Sequence, residues 1–496
     1  MAEERDKEND KDEDKKKDIP PPEDHIVESE HRVTIGGKVI EYSVTTGRIV
    51  LREEDKDEGE KPRASIFFVA YTKKGEKDAT KRPVTFSFNG GPGSSSVWLH
   101  LGLFGPRRVE MTREGFLPPP PYKLVDNEYS LLDKTDLVFI DPVTTGFSRA
   151  VPGEEDKDFH GYKKDIESVG DFIRLWTTRY KRWSSPKFLA GESYGTTRAA
   201  GLSGYLQKRH GMYLNGIMLV SAILNFQTAR FFPGNDLPFI LFLPTYTATA
   251  YYHERLPARL MSADLEDTLK EVQAFAEGEY ANALMKGDAM SKEEVDSIVA
   301  KLASYTGLSP EYVRQTNLRI NIMRFTKQLL RDERKVVGRL DSRFTGWDRD
   351  AAGETWQNDP SMNAIIGPYT ACLNDYVRSE LGFESDLPYE ILTSRVHPWS
   401  YKEVENTYLN VAETLREAIS INPYLKVYVG NGYFDLATPY FATEYTFNHM
   451  ELEREYRDNI AMYYYKAGHM MYIEAGSLSQ QKEDLATWLD EALPEN

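Results

Sequence analysis

Lys187-Phe188-Leu189-Ala190-Gly191-Glu192-Ser193-Tyr194-Gly195 is a short apolar run that breaks into a glycine, a polar pair and a second glycine. Gly-x-Ser-x-Gly at this spacing describes a tight turn between a strand and a helix, with a serine held exposed at its apex. The glycines leave room for the chain to fold back on itself. Five such residues recur by chance as an ordinary glycine-rich turn, so the flanks decide the reading. Residues 187–190 suit a buried strand, 195–209 a helix, and 214–220 the next strand.

The same rhythm extends outward in both directions. Upstream, residues 83–88 form an apolar strand ending in Asn89-Gly90-Gly91-Pro92-Gly93-Ser94-Ser95-Ser96. Residues 136–140 form another, ending in Asp141-Pro142, and 166–179 carry the periodicity of an amphipathic helix. Downstream, 425–430 lead to Asp435, 460–465 lead to His469, and 477–493 close the chain as a helix. Strands alternating with helices imply a mostly parallel sheet covered on both faces. Residues 31–41, 46–52 and 64–71 read as antiparallel strands opening that sheet, with Gly36-Gly37 as a hairpin turn.

Between residues 225 and 415 the rhythm changes to helices. Ser262 is expected to open one helix, Ser291 with Glu294 forms a capping box before another, and Ser309-Pro310 starts a third running to about residue 332. Residues 341–360 read as a long polar loop. The expected organisation is a charged tail (1–24), an α/β core (25–224 and 416–496) and a helical cap inserted at 225–415.

The net charge of −17 argues against nucleic-acid binding, which needs a basic surface, and against attraction to anionic lipid. Residues 3–18 are almost all charged and are expected to form a disordered tail. Cys372 is the only cysteine, so no intramolecular disulfide and no CxxC-type metal or redox site exists. No run of about 18 apolar residues is present to span a membrane. A lone cysteine and no leader-like N-terminus suit a cytoplasmic location; a trimmed signal peptide would make it periplasmic or secreted.

A nucleophilic serine needs a base and an orienting acid, and on a strand–turn–helix scaffold of this kind the chain order is Ser, Asp or Glu, then His. His469 follows a strand and Gly468; His253, His397 and His449 follow no convincing core strand. Asp435 follows the preceding strand, whereas Asp141 lies before the serine and fits the order poorly. The triad expected is therefore Ser193, Asp435 and His469. The backbone N–H groups of Gly91 and Tyr194 are candidates for the oxyanion hole, where one donor is typically worth about 3 kcal/mol. A phosphate cradle at residues 89–96 lacks the Walker lysine pattern.

Taken in order, five segments resemble the motifs of the serine carboxypeptidases, enzymes of the α/β-hydrolase fold. Asn89 to Ser96 is similar to their NGGPGCSS, Gly191 to Tyr194 to GESY, and Ala467-Gly468-His469-Met470 to AGHM. Phe147 lies in a segment resembling GFS, and Asp435 takes the place of the family's aspartate. The resemblance implies that Asn89, Gly90 and Glu192 help bind the substrate's terminal carboxylate and that Met470 lines the leaving-group side. Two carboxyl groups side by side require one to be protonated, so peptidase activity is expected to be stronger at acidic pH.

Three departures bear on function. Ser94 and Thr438 stand where the family usually has cysteine, and Gly195-Thr196-Thr197-Arg198 replaces its common Ala-Gly-His-Tyr. Leu103 occupies the position of a glutamate that helps hold the terminal carboxylate. A disulfide-free, bacterial-type branch is expected. The reading is a serine-type carboxypeptidase acting on peptides with a free C-terminus, with no metal or organic cofactor. An esterase or acyltransferase using the same triad is the alternative, and a binding protein that kept the fold is a distant third.

Overall fold

The computed structural model describes residues 22–57 and 59–493. Most of the expected charged tail, residues 1–21, lies outside the described residues.

Nine strands run in series through one sheet. In chain order they are β1 (His25–Ile35), β2 (Lys38–Asp55), β3 (Gly59–Lys73), β4 (Val84–Phe88), β5 (Asp136–Ile140), β6 (Lys187–Ser193), β7 (Gly216–Ala222), β8 (Lys426–Gly432) and β9 (Ile460–Tyr465). Their spatial order is β1-β2-β3-β5-β4-β6-β7-β8-β9, and the two-residue strand Arg149–Ala150 pairs with β3 at one side. The first three strands are antiparallel, and β1 and β2 are joined at Gly36 and Gly37, both with positive φ. From β5 to β9 every neighbouring pair is parallel.

A parallel strand with both faces covered must be apolar along its length. β7 illustrates how: Ile217 and Leu219 enter the apolar core on one face, and Met218 and Val220 that on the other. The first face is covered by α1 (Tyr162–Arg179) and α2 (Tyr194–His210), through Phe172 and Leu202. The opposite face receives the C-terminal helix Ala475–Glu491, through Leu485 and Trp488.

The insertion has an apolar core of its own, containing Phe242, Val272, Leu302 and Phe325, which continues into Leu436 and Tyr440 just beyond Asp435. One of its helices, Pro360–Asp375, packs instead on the α/β core: the ring of Tyr369 lies 5.0 Å from that of Trp98. The capping box at Ser291 and Glu294 is present on helix Lys292–Thr306.

Three local expectations in the insertion are corrected. Ser262 ends the short helix Ala258–Met261, and the next helix starts at Leu265. The segment from Ser309 is broken into Pro310–Gln315 and Ile322–Gln328, because Asn317 and Leu318 take positive φ and Asn321 caps a fresh start by accepting the N–H of Arg324 at 3.0 Å. The loop at 341–360 contains a short strand, Thr345–Trp347, paired with Lys335–Val337. Among the described residues no helix is long and apolar enough to cross a membrane.

Candidate active site

Four loops converge at the C-terminal ends of the parallel strands, where open α/β sheets bind ligands. They are the glycine-rich loop after β4, the β6–α2 junction, the turn after β8 and the loop after β9. Ser193 is the last residue of β6 and has φ 59° and ψ −130°, a backbone conformation that L-residues rarely hold. Such a sharp turn demands close approach: a side chain at Gly191 would meet Gly195 O at 2.1 Å. One at Gly90 would meet the backbone N of Tyr194 at 2.4 Å. Gly191 therefore lets the turn close on itself, and Gly90 brings the 89–96 loop against the start of α2. Tyr194 is the first residue of that helix, so its N–H has no intrahelical acceptor.

Asp435 is fully buried and receives four donors. Ala437 N (2.8 Å) and Thr438 N (3.0 Å) donate to one oxygen, and Thr438 Oγ1 (2.6 Å) and His469 Nδ1 (2.7 Å) to the other. With the carboxylate as acceptor, the Nδ1 proton of His469 is held there and Nε2 is left with its lone pair. The backbone of His469 is fixed as well: its N–H donates to Leu340 O at 2.7 Å, and its carbonyl accepts from Ser221 Oγ at 2.7 Å. Gly468 N donates to Asp341 Oδ2 at 3.0 Å. Burial disfavours the imidazolium, but the charges of Asp435 and Glu192 outweigh it and raise the histidine's pKa. Ser193 and His469 line the same cavity, yet among the described residues no hydrogen bond joins them. In resting enzymes such contacts commonly tighten only with substrate.

Two cavities meet at Ser193. One, of about 500 Å³, is lined by Asn89, Gly90, Glu192, His469 and Met470; the other, of about 580 Å³, by Tyr194, Phe226, Trp399 and Tyr401. Gly91, Ser193, Arg339 and His397 border both. In the first cavity, Asn89 Oδ1 accepts from Leu99 N at 3.0 Å while its buried Nδ2 has no partner. Glu192 is buried beside it and accepts a hydrogen bond from Tyr472 Oη. Burial pushes the Glu192 carboxyl up to about 7, with His469 and Tyr472 pulling the other way. The pairing of a free amide donor with a carboxyl that carries its proton near neutrality is chemically suited to a ligand carboxylate.

All nine expected site residues thus lie at this junction of loops. Asp141 is elsewhere engaged, accepting from Ser96 N (2.8 Å) and Tyr389 Oη (2.7 Å) behind the glycine-rich loop. Sequence reasoning met Arg198 only as part of a departure from the family's pattern, and assigned no role to it or to Tyr472, Asp341 or Arg339. Arg198 is almost fully buried, donating to Asp165 Oδ2 at 2.8 Å and to the carbonyl of Asn89 at 2.5 Å. A charged residue among the small residues of α2 was its available signal. Where cysteines were missed, hydrogen bonds stand instead: Ser94 Oγ accepts from Trp98 Nε1 at 2.8 Å, and Thr438 binds Asp435. Leu103 is buried in the apolar core and offers the site nothing polar.

Comparisons with known proteins agree with one another. The family model described as serine carboxypeptidase matches residues 56–488. Over 155 residues the chain is 35% identical to the pheromone-processing carboxypeptidase KEX1 of Saccharomyces cerevisiae, covering 30% of this chain and 20% of that protein. Over 177 residues it is 27% identical to serine carboxypeptidase-like 46 of Arabidopsis thaliana, covering 34% of this chain and 35% of that one. The matched stretch therefore spans between a fifth and about a third of these relatives' length. Among solved structures, KEX1(delta)p, a prohormone-processing carboxypeptidase from Saccharomyces cerevisiae, superposes with a TM-score of 0.59 at 17% identity, covering 90% of this chain and 91% of that one. The shared architecture is the α/β-hydrolase fold.

Proposed function

The chain belongs to the serine carboxypeptidase family, and from that membership we propose that it is a serine-type carboxypeptidase acting through an acyl-enzyme on Ser193. In this reading the Ser193 oxygen attacks the last peptide carbonyl while His469 Nε2 takes its proton. Asp435 keeps the imidazole oriented and stabilises its charged form. The N–H groups of Gly91 and Tyr194 hold the oxyanion. His469 then returns the proton to the departing amino group, and water releases the acyl group by the same route.

One observation carries the exopeptidase assignment. The cavity on the Met470 side of Ser193 is lined by Asn89, whose buried Nδ2 has no partner, and by Glu192 with its protonatable carboxyl. Two donors there favour a substrate that ends in a carboxylate one residue beyond the cleaved bond, even with Leu103 in place of glutamate. We assign residues 225–415 as a cap, an assignment supported by the separate apolar core of its helices. The lone cysteine favours our placement in a disulfide-free, bacterial-type branch, although the relatives named above are fungal and plant proteins.

The test uses one blocked peptide as free acid and as C-terminal amide, followed by mass spectrometry, with Ser193→Ala as control. Release of the last residue from the acid alone, lost in the variant, is expected. Release from neither peptide, with Ser193-dependent ester cleavage intact, would replace this reading with the esterase or acyltransferase one.

A further inference from the structure

The cavity on the Tyr194 side of Ser193 carries two arginines to which the mechanism above gives no role, although Arg339 also borders the first cavity and its charge acts on His469. Arg230 and Arg339 both line it, and among the described residues neither guanidinium is held in an ion pair. No Asp or Glu lines this cavity. Some arginines of the same insertion do find acids: Arg255 pairs with Asp332 at 2.9 Å and Arg319 with Asp236 at 2.7 Å. In a chain of net charge −17, two unneutralised arginines facing one cavity leave a place for an anion.

Both side chains stand on fixed backbone. The carbonyl of Arg230 accepts from Asn235 Nδ2 at 2.7 Å, and the same amide donates to Gln227 O at 2.9 Å, closing the loop. The Arg230 guanidinium lies 5.4 Å from the centroid of the Phe226 ring, a contact that orients it without neutralising it. The N–H of Arg339 donates to Asp359 Oδ1 at 3.2 Å, and its carbonyl accepts from Leu436 N at 3.0 Å, one residue past Asp435. The two arginines therefore approach the reacting serine from opposite segments of the insertion.

With Asn89 and Glu192 on the far side of Ser193, the Tyr194 side is where the acyl part of the substrate lies. We propose that this cavity is a receptor for an acidic side chain on the residue preceding the cleaved bond, Arg230 and Arg339 binding its carboxylate. The enzyme would then favour peptides whose penultimate residue is Glu or Asp. This rests on the carboxypeptidase reading above. Arg230 does not line the cavity that holds Asn89, so the terminal carboxylate does not account for it.

The experiment compares N-acetylated tripeptides with free C-termini that end in Glu-Leu, Gln-Leu or Lys-Leu. Glutamine keeps the shape of glutamate and removes only the charge, so the ratio of kcat/KM for Glu over Gln reads the receptor directly. A ratio of about ten or more at low ionic strength is expected, the size of one good charge-assisted interaction. It should shrink in high salt as the charges are screened. Arg230→Gln and Arg339→Gln should each bring the ratio towards one, and Arg230→Lys should restore part of it. Arg230 is exposed, so its variants are expected to fold; the wild-type ratio and its salt dependence are decisive even if Arg339→Gln does not. A wild-type ratio of one or less, with the Gln peptide cleaved, overturns this proposal alone. So does a ratio that survives both substitutions together. Release from none of the three peptides overturns the carboxypeptidase reading and this proposal with it.

Discussion

Glu192 and His469 govern how the site should respond to pH. The carboxyl of Glu192 can donate to a terminal carboxylate only while protonated, and burial lifts its pKa to about 7. His469 can accept the proton of Ser193 only while neutral, and its pKa is raised: burial lowers it, but Asp435 and Glu192 outweigh burial. The two groups interact, so they titrate as a pair, and the productive form carries one proton between them. Hydrolysis of free-acid peptides should therefore give a bell-shaped kcat/KM, falling by up to about tenfold per pH unit above neutrality. Esters without a terminal carboxylate should keep their activity there, and Glu192→Gln should remove the alkaline fall for peptides. A pH profile of both substrate types checks this. The same carboxyl bears on stability. Its folded pKa lies above the unfolded value, so the folded state binds the extra proton between about pH 4.5 and 7, and stability declines as pH rises through that window. Glu192→Gln should raise the melting temperature at pH 8 more than at pH 5, recovering on the order of 3 kcal/mol.

The helix that follows Ser193 does more than provide a free N–H. Arg198, one turn along α2, ties together Asp165 on α1 and the carbonyl of Asn89 in the glycine-rich loop. Arg198→Met would strand Asp165 as an unpaired buried carboxylate and release the loop that carries Gly91, one of the two proposed oxyanion donors. A loss of about 3 kcal/mol or more is expected in denaturant unfolding, partly recovered by adding Asp165→Asn. At the far end of the insertion, Ser291 and Glu294 exchange hydrogen bonds at the start of helix Lys292–Thr306. Ser291→Ala should cost about 1 kcal/mol of local stability, seen as faster amide exchange in that helix with peptidase activity unchanged. At this scale the sequence was legible where signals are local. The capping box, the Gly36-Gly37 hairpin and the ends of β5 and β9 follow from residues a few positions apart. The break after Gln315 was not, because Asn317 and Leu318 adopt positive φ to suit the packing of separate helices, and leucine carries no signal for that.

For the whole molecule, stability rests on packing without covalent cross-links. Cys372 is buried on the helix Pro360–Asp375, and burial pushes its thiol up to about 11. A reductant should leave the melting temperature unchanged in calorimetry, and a thiol reagent should react only once the protein unfolds, which alkylation followed by mass spectrometry reads. The alternation of strands and helices, the order of Ser193, Asp435 and His469, and the glycines that allow close approach were all written in the sequence. They depend on covalent geometry, hydrophobic periodicity and chain order, which act over short stretches or along the chain. Tertiary structure alone decided that Arg198 braces Asn89, that Tyr472 binds Glu192, that Asp341 holds Gly468, and that Arg230 and Arg339 share one cavity with Ser193. Each of these joins residues brought together by folding from distant parts of the chain or from different elements. Their meeting is set by how the insertion and helices pack on the sheet, a global balance of apolar burial that no local pattern encodes.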